Sequence, residues 1–357
     1  MASTLCDDQT HLDAIEKLIS SGINSSEVQD RYILPPHERP RMSEVCYSEC
    51  IPVVDLGDLI DGPNRTRVIQ EIRRACEENG FFQIINHGVK ETIMKSMMGI
   101  AKEFFEMPVE NRACFYSEDP MQPVRVSTSF NICKEKVQHW RDYLRHPCYP
   151  LEEVMGSWPE KPAGYREIAG KYSAEVRALI LRLLSSISEA LGLDSDYLNR
   201  IFGTHNQAMV INYYPSCPNP DLTFGLPGHS DPDGITVLMQ DEVSGLQVFK
   251  NGKWIAVQPL ANAFVVNLGD QIQVVSNGRF RSVEHRAVTN ASSARISIPM
   301  FCTPAEDAFI APAASLVDEQ HPPVYRGYKF EEFWKAFWSQ VLGRKTVLDT
   351  FKIEYPE

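Results

Sequence analysis

A series of short strand-like segments occupies the C-terminal half of this 357-residue chain and limits the folds that it can adopt. The segments are residues 209–214, 236–240, 246–250, 264–268, 272–276, 282–288 and 295–301. Turn signals such as Asn251-Gly252 and Asn277-Gly278 separate them, and both pairs favour tight hairpin turns. Many short strands joined by turns predict an antiparallel barrel or jelly roll.

The N-terminal half combines helices with a few strands. Apolar residues recur at helical spacing in 10–23, 65–79, 91–105 and 165–191, and short apolar runs at 51–56 and 81–85 predict buried strands. We therefore expect a mixed α and β chain in which N-terminal helices buttress a β core. The expected regions are 1–205, helices and strands packed on the core; 206–310, the β core with its site; and 311–357, a C-terminal helical segment.

Composition narrows the class of protein. Hydrophobic residues make up 43% of the chain, whereas a net charge of −12 and a pI near 5.3 argue against a nucleic-acid partner. No apolar run reaches the ~18 residues of a membrane helix, and the N-terminus lacks the apolar core of a signal peptide. The nine cysteines form no CxxC pair. We expect a cytoplasmic monomer with reduced thiols and no membrane partner.

Three potential metal ligands, His229, Asp231 and His285, lie within the β region. His229 and Asp231 are separated by one residue, so on an extended strand both side chains leave the same face. Two imidazoles and one carboxylate on one side of a metal leave other coordination positions open, as in non-haem Fe(II) oxygenases. Arg295 and Ser297 follow on one strand face, where a guanidinium and a hydroxyl can bind a carboxylate.

Two other hypotheses account for part of this pattern. A zinc hydrolase also uses two histidines, one carboxylate and a water, but Arg295 and Ser297 would then have no evident role. A non-catalytic small-molecule receptor would not need all three ligand positions filled. A further histidine, His87, lies in a turn with no second ligand at short spacing, and we expect local hydrogen bonds to satisfy it.

Several stretches resemble the plant 2-oxoglutarate- and iron(II)-dependent dioxygenases. They are GFFQIINHGV at 80–89, NYYPSCP at 212–218, GHSD at 228–231, HRAV at 285–288 and RIS at 295–297. The resemblance covers most of the chain and implies a double-stranded β-helix core. It implies an enzyme that consumes O2 and 2-oxoglutarate, with ascorbate supporting its activity, and in which His229, Asp231 and His285 hold Fe(II).

The same resemblance implies roles around the co-substrate. Arg295 and Ser297 correspond to the residues that bind the far carboxylate of 2-oxoglutarate in this family. Asn212 and Tyr214, in the NYYPSCP stretch, correspond to residues that help to position it.

Two further stretches are similar to one branch of the family. STSFN at 127–131 and WRDYL at 140–144 look most like the branch that contains salicylate hydroxylases and type I flavone synthases. This implies a small aromatic or phenolic substrate, with desaturation of a flavanone to a flavone as the expected reaction. Hydroxylation of salicylate, or of another flavonoid, is the alternative.

Two phenylalanines are candidates for the wall of the substrate pocket. Phe301 falls where flavonoid-oxidising relatives place a stacking ring, and Phe130 lies in the STSFN stretch. Packing without substrate contact is the alternative for both, because buried phenylalanines are common in protein cores.

Overall fold

The computed structural model describes residues 27–47, 51–60, 62–129, 134–339 and 347–355. The predicted helix at 10–23 and the pocket candidate Phe130 lie outside these residues. The described residues contain seven α-helices: α1 Arg65–Glu78, α2 Glu91–Glu106, α3 Leu151–Val154, α4 Tyr165–Ala190, α5 Tyr197–Phe202, α6 Asp270–Val275 and α7 Phe330–Ser339. Within these residues, no helix combines the length and the apolar character that a bilayer crossing requires.

Fifteen strands occur in the same part of the chain. They are β1 Val45–Cys46, β2 Val53–Asp55, β3 Phe81–Ile85, β4 Arg125–Ser127, β5 Asp142–Pro147, β6 Asn206–Tyr214, β7 Phe224–His229, β8 Ile235–Gln240, β9 Leu246–Lys250, β10 Lys253–Ala256, β11 Phe264–Leu268, β12 His285–Val288, β13 Arg295–Thr303, β14 Phe309–Ile310 and β15 Tyr328–Lys329. The strand predictions near 51–56, 81–85, 209–214, 236–240, 246–250, 264–268 and 295–301 are thereby confirmed.

The strands form two large sheets. One has eight strands in the order β2-β3-β11-β8-β13-β6-β5-β4, the other has five in the order β1-β10-β9-β12-β7, and β14 pairs with β15. Apolar side chains from both large sheets, such as Phe81 and Val265 from one and Leu246 and Val248 from the other, pack into one cluster. The chain therefore has a mixed α/β fold whose large sheets are consistent with a jelly-roll core.

Strand β13 shows how the eight-stranded sheet separates core from site. Successive side chains point to opposite faces of a strand, and the even-numbered members Ile296, Ile298 and Met300 are buried in the main hydrophobic core. Arg295 and Phe301, at odd positions, face the opposite side and line a cavity. One face of the strand therefore packs in the hydrophobic core, and the other face lines the cavity.

The core face of this sheet is covered by helices, and α4 is the longest of them. Helix α4 contacts α1, α2, β8 and β13, and its residues Tyr172, Val176 and Leu183 have no exposed surface. Burial of an aliphatic side chain such as Val176 or Leu183 stabilises the fold by about 1.5–3 kcal/mol. The predicted helices at 65–79, 91–105 and 165–191 are confirmed as α1, α2 and α4.

The strand predicted at 272–276 was wrong, because this segment is helix α6. A short, continuous apolar run occurs in buried helices and in buried strands, so periodicity alone cannot assign the segment to either. The Asn277-Gly278 pair ends the helix instead of turning a hairpin: both residues have positive φ, and Gly278 N–H donates to the carbonyl of Gln273. Asn251-Gly252 does turn the predicted hairpin, between β9 and β10.

Candidate metal centre and co-substrate pocket

His229, Asp231 and His285 converge on one point. Strands β7 and β12 are antiparallel neighbours with His285 directly opposite His229, so the two imidazole centroids lie 4.3 Å apart. Each Nε2 atom is 3.6 Å from Asp231 Oδ1. The three potential ligand atoms all lie within 4.8 Å of one another, the arrangement of a metal site.

The convergence does not arise from a shared strand, as the spacing of His229 and Asp231 had predicted. Strand β7 ends at His229, and Asp231 lies in the turn that follows. The carbonyl of Asp231 accepts a hydrogen bond from Asp270 N–H at 2.9 Å. The turn is therefore anchored to the start of helix α6, and this contact sets the position of the carboxylate.

Hydrogen bonds orient each potential ligand. The Nδ1 atoms of His229 and His285 lie 2.9 and 3.3 Å from the carbonyls of Pro227 and Val283. Because a carbonyl can only accept, each Nδ1 carries the proton and each Nε2 keeps its lone pair.

The carboxylate of Asp231 is oriented in the same way. Its Oδ2 accepts hydrogen bonds of 2.6 Å from both Thr236 Oγ1 and Asn267 Nδ2. These bonds occupy Oδ2 and leave Oδ1, the oxygen that faces the two histidines, to a metal.

The protonation states suit a metal. Burial, together with the neighbouring charge of His285, lowers the pKa of His229 to about 4. Burial by itself would raise the pKa of Asp231, but the two histidines and the hydrogen bonds from Thr236 and Asn267 outweigh it and lower this pKa. At neutral pH the site therefore holds a neutral imidazole and an ionised carboxylate, the forms that coordinate metals.

Two imidazoles and one carboxylate on one side fit Fe(II) with open positions, and the same donors would fit zinc. The feature that favours Fe(II) over zinc lies at the end of the cavity that contains Arg295. Arg295 is buried and lies opposite Tyr214 on strand β6. Its Nη2 donates to Gln240 Oε1 at 2.9 Å, and its guanidinium lies 5.2 Å from the centre of the Tyr214 ring. The Arg295 Nε is buried without a hydrogen-bond partner, so the protein alone does not satisfy this guanidinium.

Polar neighbours extend this anion-binding end. Ser297 lies opposite Asn212, whose amide donates to Ser297 Oγ at 3.4 Å. A guanidinium beside a hydroxyl can hold a carboxylate by two or more charge-assisted hydrogen bonds. A dicarboxylate co-substrate accounts for this end of the cavity, whereas a simple zinc hydrolase does not.

One cavity of about 350 Å³ joins the two ends. It is lined by eight of the nine residues predicted from the sequence: Asn212, Tyr214, His229, Asp231, His285, Arg295, Ser297 and Phe301. Apolar side chains fill much of the remaining wall, namely Phe81, Leu226, Leu238, Leu246 and Ala287. The volume is at the lower end of the roughly 300–1,000 Å³ typical of ligand sites.

His87 takes no part in this cavity. Its Nδ1 accepts from Val89 N–H at 3.2 Å and its Nε2 lies 3.0 Å from the carbonyl of Asn262. Both ring nitrogens are therefore satisfied locally, as the sequence predicted.

Several residues of the site were not predicted from the sequence. Thr236, Asn267 and Gln240 orient other side chains, and nothing in their local sequence marks them. Arg141 also lines the cavity. It lies in the WRDYL stretch, which the sequence analysis used only to identify a branch of the family. Aromatic residues of α7, namely Phe330, Trp334, Phe337 and Trp338, complete the lining; their spacing is also that of an ordinary amphipathic helix.

Comparison with known proteins agrees with this geometry. A family model described as the 2OG-Fe(II) oxygenase superfamily matches residues 205–304, and one described as non-haem dioxygenase in morphine synthesis N-terminal matches 51–162. The chain is 51% identical over 342 residues to DMR6-LIKE OXYGENASE 1 of Arabidopsis thaliana, covering 95% of this chain and 98% of the relative. It is 44% identical over 337 residues to flavanone 3-dioxygenase 2 of Oryza sativa subsp. japonica, covering 94% and 97%.

A solved structure is similar over the whole fold. The crystal structure of JOX2 in complex with 2OG, Fe and JA superposes with a TM-score of 0.84 at 33% identity, and 99% of each chain is covered.

Proposed function

The chain belongs to the 2-oxoglutarate- and Fe(II)-dependent oxygenase superfamily, and we propose that it oxidises a plant phenolic, converting a flavanone to a flavone. As a member of that family it is an oxidoreductase that uses Fe(II), 2-oxoglutarate and O2. The observation that carries the proposal is one cavity that joins a metal-ligand triad, a carboxylate-binding end and an aromatic wall.

In this proposal His229, Asp231 and His285 hold the metal through Nε2, Oδ1 and Nε2. Bound Fe(II) supplies activation of O2, coupled to the conversion of 2-oxoglutarate to succinate and CO2. Arg295 and Ser297 hold the far carboxylate of the co-substrate. The buried Arg295 is held by Gln240 and Tyr214 before any ligand arrives, so little orientational freedom is lost on binding.

The cavity wall beyond the co-substrate supports a substrate with more than one ring. Beyond Arg295 and Ser297, Pro299, Phe301 and Thr303 line it at alternate positions of β13, a length of roughly 13 Å at ~3.3 Å per residue. Phe301 lies far along this wall from Arg295, where its ring can pack against an aromatic substrate. The apolar wall excludes water and limits side reactions of the oxidant.

Hydroxylation of salicylate is the second candidate, because Arg141 places another buried guanidinium on the cavity wall. A guanidinium suits the carboxylate of a benzoic acid. Hydroxylation of another flavonoid is compatible with the same aromatic wall.

The test is to incubate purified protein with Fe(II), ascorbate and 2-oxoglutarate, with naringenin in one reaction and salicylate in another. Flavanone desaturation removes two hydrogens from naringenin, whereas hydroxylation adds one oxygen, so product masses separate the reactions. Succinate should form in step with product. A protein that oxidises salicylate and ignores naringenin would favour the second candidate, and no succinate with any phenolic would refute the proposed function.

A further inference from the structure

Arg141 is a charged residue of the cavity that the proposed mechanism does not use. Its side chain is only 6% exposed, and it directly precedes β5, whose first residue, Asp142, lies opposite Tyr213 on β6. Arg295 lies opposite Tyr214 on the other edge of β6. The two arginines therefore lie on either side of β6 at nearly the same position along it, with their backbones about 10 Å apart.

The two guanidiniums are held in similar ways. Arg141 Nη1 donates to Asn212 Oδ1 at 3.1 Å, and its guanidinium lies 4.7 Å from the centre of the Tyr143 ring. Arg295 is likewise held by one amide oxygen and one tyrosine ring. In both residues Nε is buried without a hydrogen-bond partner. Arg141 thus has the features of a prepared anion site.

Among the described residues, no carboxylate lies within ion-pair distance, 4.0 Å, of Arg141. A buried charge with one neutral hydrogen bond and a free donor is costly unless a ligand completes it. One molecule of 2-oxoglutarate has a single far carboxylate, which the proposed function places on Arg295. The Arg141 donors then remain available to the organic substrate.

We propose that Arg141 is the substrate-recognition residue of this enzyme and that it binds an anionic oxygen, a carboxylate or an acidic phenolate, on the aromatic substrate. The inference rests on the proposed function, since it assigns the substrate to the part of the cavity that the co-substrate leaves free. A guanidinium binds such an oxygen by charge-assisted hydrogen bonds and rejects neutral analogues. Specificity among phenolics would follow from the position of their acidic group.

The experiment measures binding by calorimetry to the full chain with 2-oxoglutarate present. Two matched pairs of probes differ only in the anionic oxygen: 2-hydroxybenzoate against 2-hydroxybenzamide, and naringenin against its 7-methyl ether. Wild-type protein should bind the anionic member of at least one pair about ten- to a hundred-fold more tightly. The pair that shows the difference identifies the source of the anion.

Arg141→Gln should abolish that preference, since glutamine keeps an amide that can reach Asn212 and loses the charge. Arg73→Gln, the same change on the exposed face of α1, should keep the wild-type preference. If Arg141→Gln does not fold, equal binding of the neutral and anionic probes by the wild-type protein would still overturn the inference.

Two results would overturn the inference. One is a wild-type protein that binds the neutral and anionic members of both pairs equally. The other is an Arg141→Gln protein that loses affinity for 2-oxoglutarate while its preference between probes is unchanged, which would assign Arg141 to the co-substrate. Failure of the proposed function looks different: the preference for anions persists, but none of the probes supports succinate formation.

Discussion

At the scale of single residues, the orientation of Asp231 depends on a neighbour that contacts no substrate. Asn267 donates a 2.6 Å hydrogen bond to Asp231 Oδ2 and is buried. Asn267→Ala should weaken metal affinity about 10- to 100-fold, because the carboxylate loses a partner that fixes Oδ1 toward the metal. The measurement is a titration with Mn(II), with the Fe(II) dependence of succinate formation as a second readout.

Asn199→Ala provides the control for this prediction. Asn199 bonds to Ser185 on the neighbouring helix and lies outside the cavity, so its loss should leave metal affinity unchanged. Equal metal affinity in Asn267→Ala and wild type would contradict the proposed orientation of Asp231.

A second prediction concerns the co-substrate. Arg295→Lys should raise the Michaelis constant for 2-oxoglutarate at least about tenfold, because lysine keeps the charge and loses the planar, two-pronged contact. The Michaelis constant for the organic substrate should change little, since the proposals place the substrate on Phe301 and Arg141 and leave Arg295 to the co-substrate. An unchanged 2-oxoglutarate requirement would place the carboxylate-binding group elsewhere.

The third prediction concerns the aromatic wall. Phe301→Ala should raise the Michaelis constant for a flavanone about tenfold or more, because stacking of roughly 0.5–1.5 kcal/mol is lost along with buried area. The 2-oxoglutarate requirement should stay as in wild type. Phe309→Ala removes an exposed ring, 63% accessible, and should leave both constants alone. Unaltered flavanone kinetics in Phe301→Ala would argue that Phe301 only packs in the fold.

At the scale of elements, helix α6 depends on its C-terminal glycine. Gly278 has φ of +80°, and nothing lies within 4 Å of an added Cβ, so Gly278→Ala introduces backbone strain without a clash. It should destabilise the fold by about 1 kcal/mol. Gly99 lies in the middle of α2 with equally open surroundings, and Gly99→Ala should stabilise the fold by a similar amount.

Denaturant unfolding of the two variants beside wild type measures both shifts. The opposite signs are the discriminating result, because the chemical change is the same and only the backbone conformation differs. Destabilisation by both variants to the same extent would show that conformation at Gly278 is not the cause.

At the scale of the whole molecule, burial of histidines makes stability depend on pH. Burial lowers the pKa of His146, which lies outside the metal centre, from 6.5 to about 4. The unfolded chain therefore binds more protons than the folded one between these values, so the stability from His146 is present above about pH 6.5 and is lost as pH falls toward 4. The loss from this residue is at most about 3 kcal/mol.

His146→Gln should flatten this part of the stability curve, measured as the free energy of unfolding at several pH values between 4 and 7. His321→Gln, a change at an exposed histidine, should keep the wild-type slope. A wild-type slope in His146→Gln would mean that other groups cause the acid sensitivity.

The residues that could do the chemistry, and much of the local structure, were predictable from the sequence. Side-chain alternation along a strand is a local property, so the spacing of Arg295 and Ser297 placed both on one face, and both line the cavity, as does Phe301, the candidate from the family resemblance. Helical periodicity identified α1, α2 and α4 for the same reason. The division into regions 1–205, 206–310 and 311–357 stays a prediction.

The contacts between these elements were not predictable from the sequence, because they depend on how distant segments pack. His229 and His285 are neighbours because β7 pairs with β12 in one register, and pairing between distant segments depends on packing of the whole chain. The same packing brings Asn267 to Asp231 and places Arg141 across β6 from Arg295. Helix α6 formed where a strand was expected, because its hydrogen bonds and cap outweighed a local pattern that fits either element.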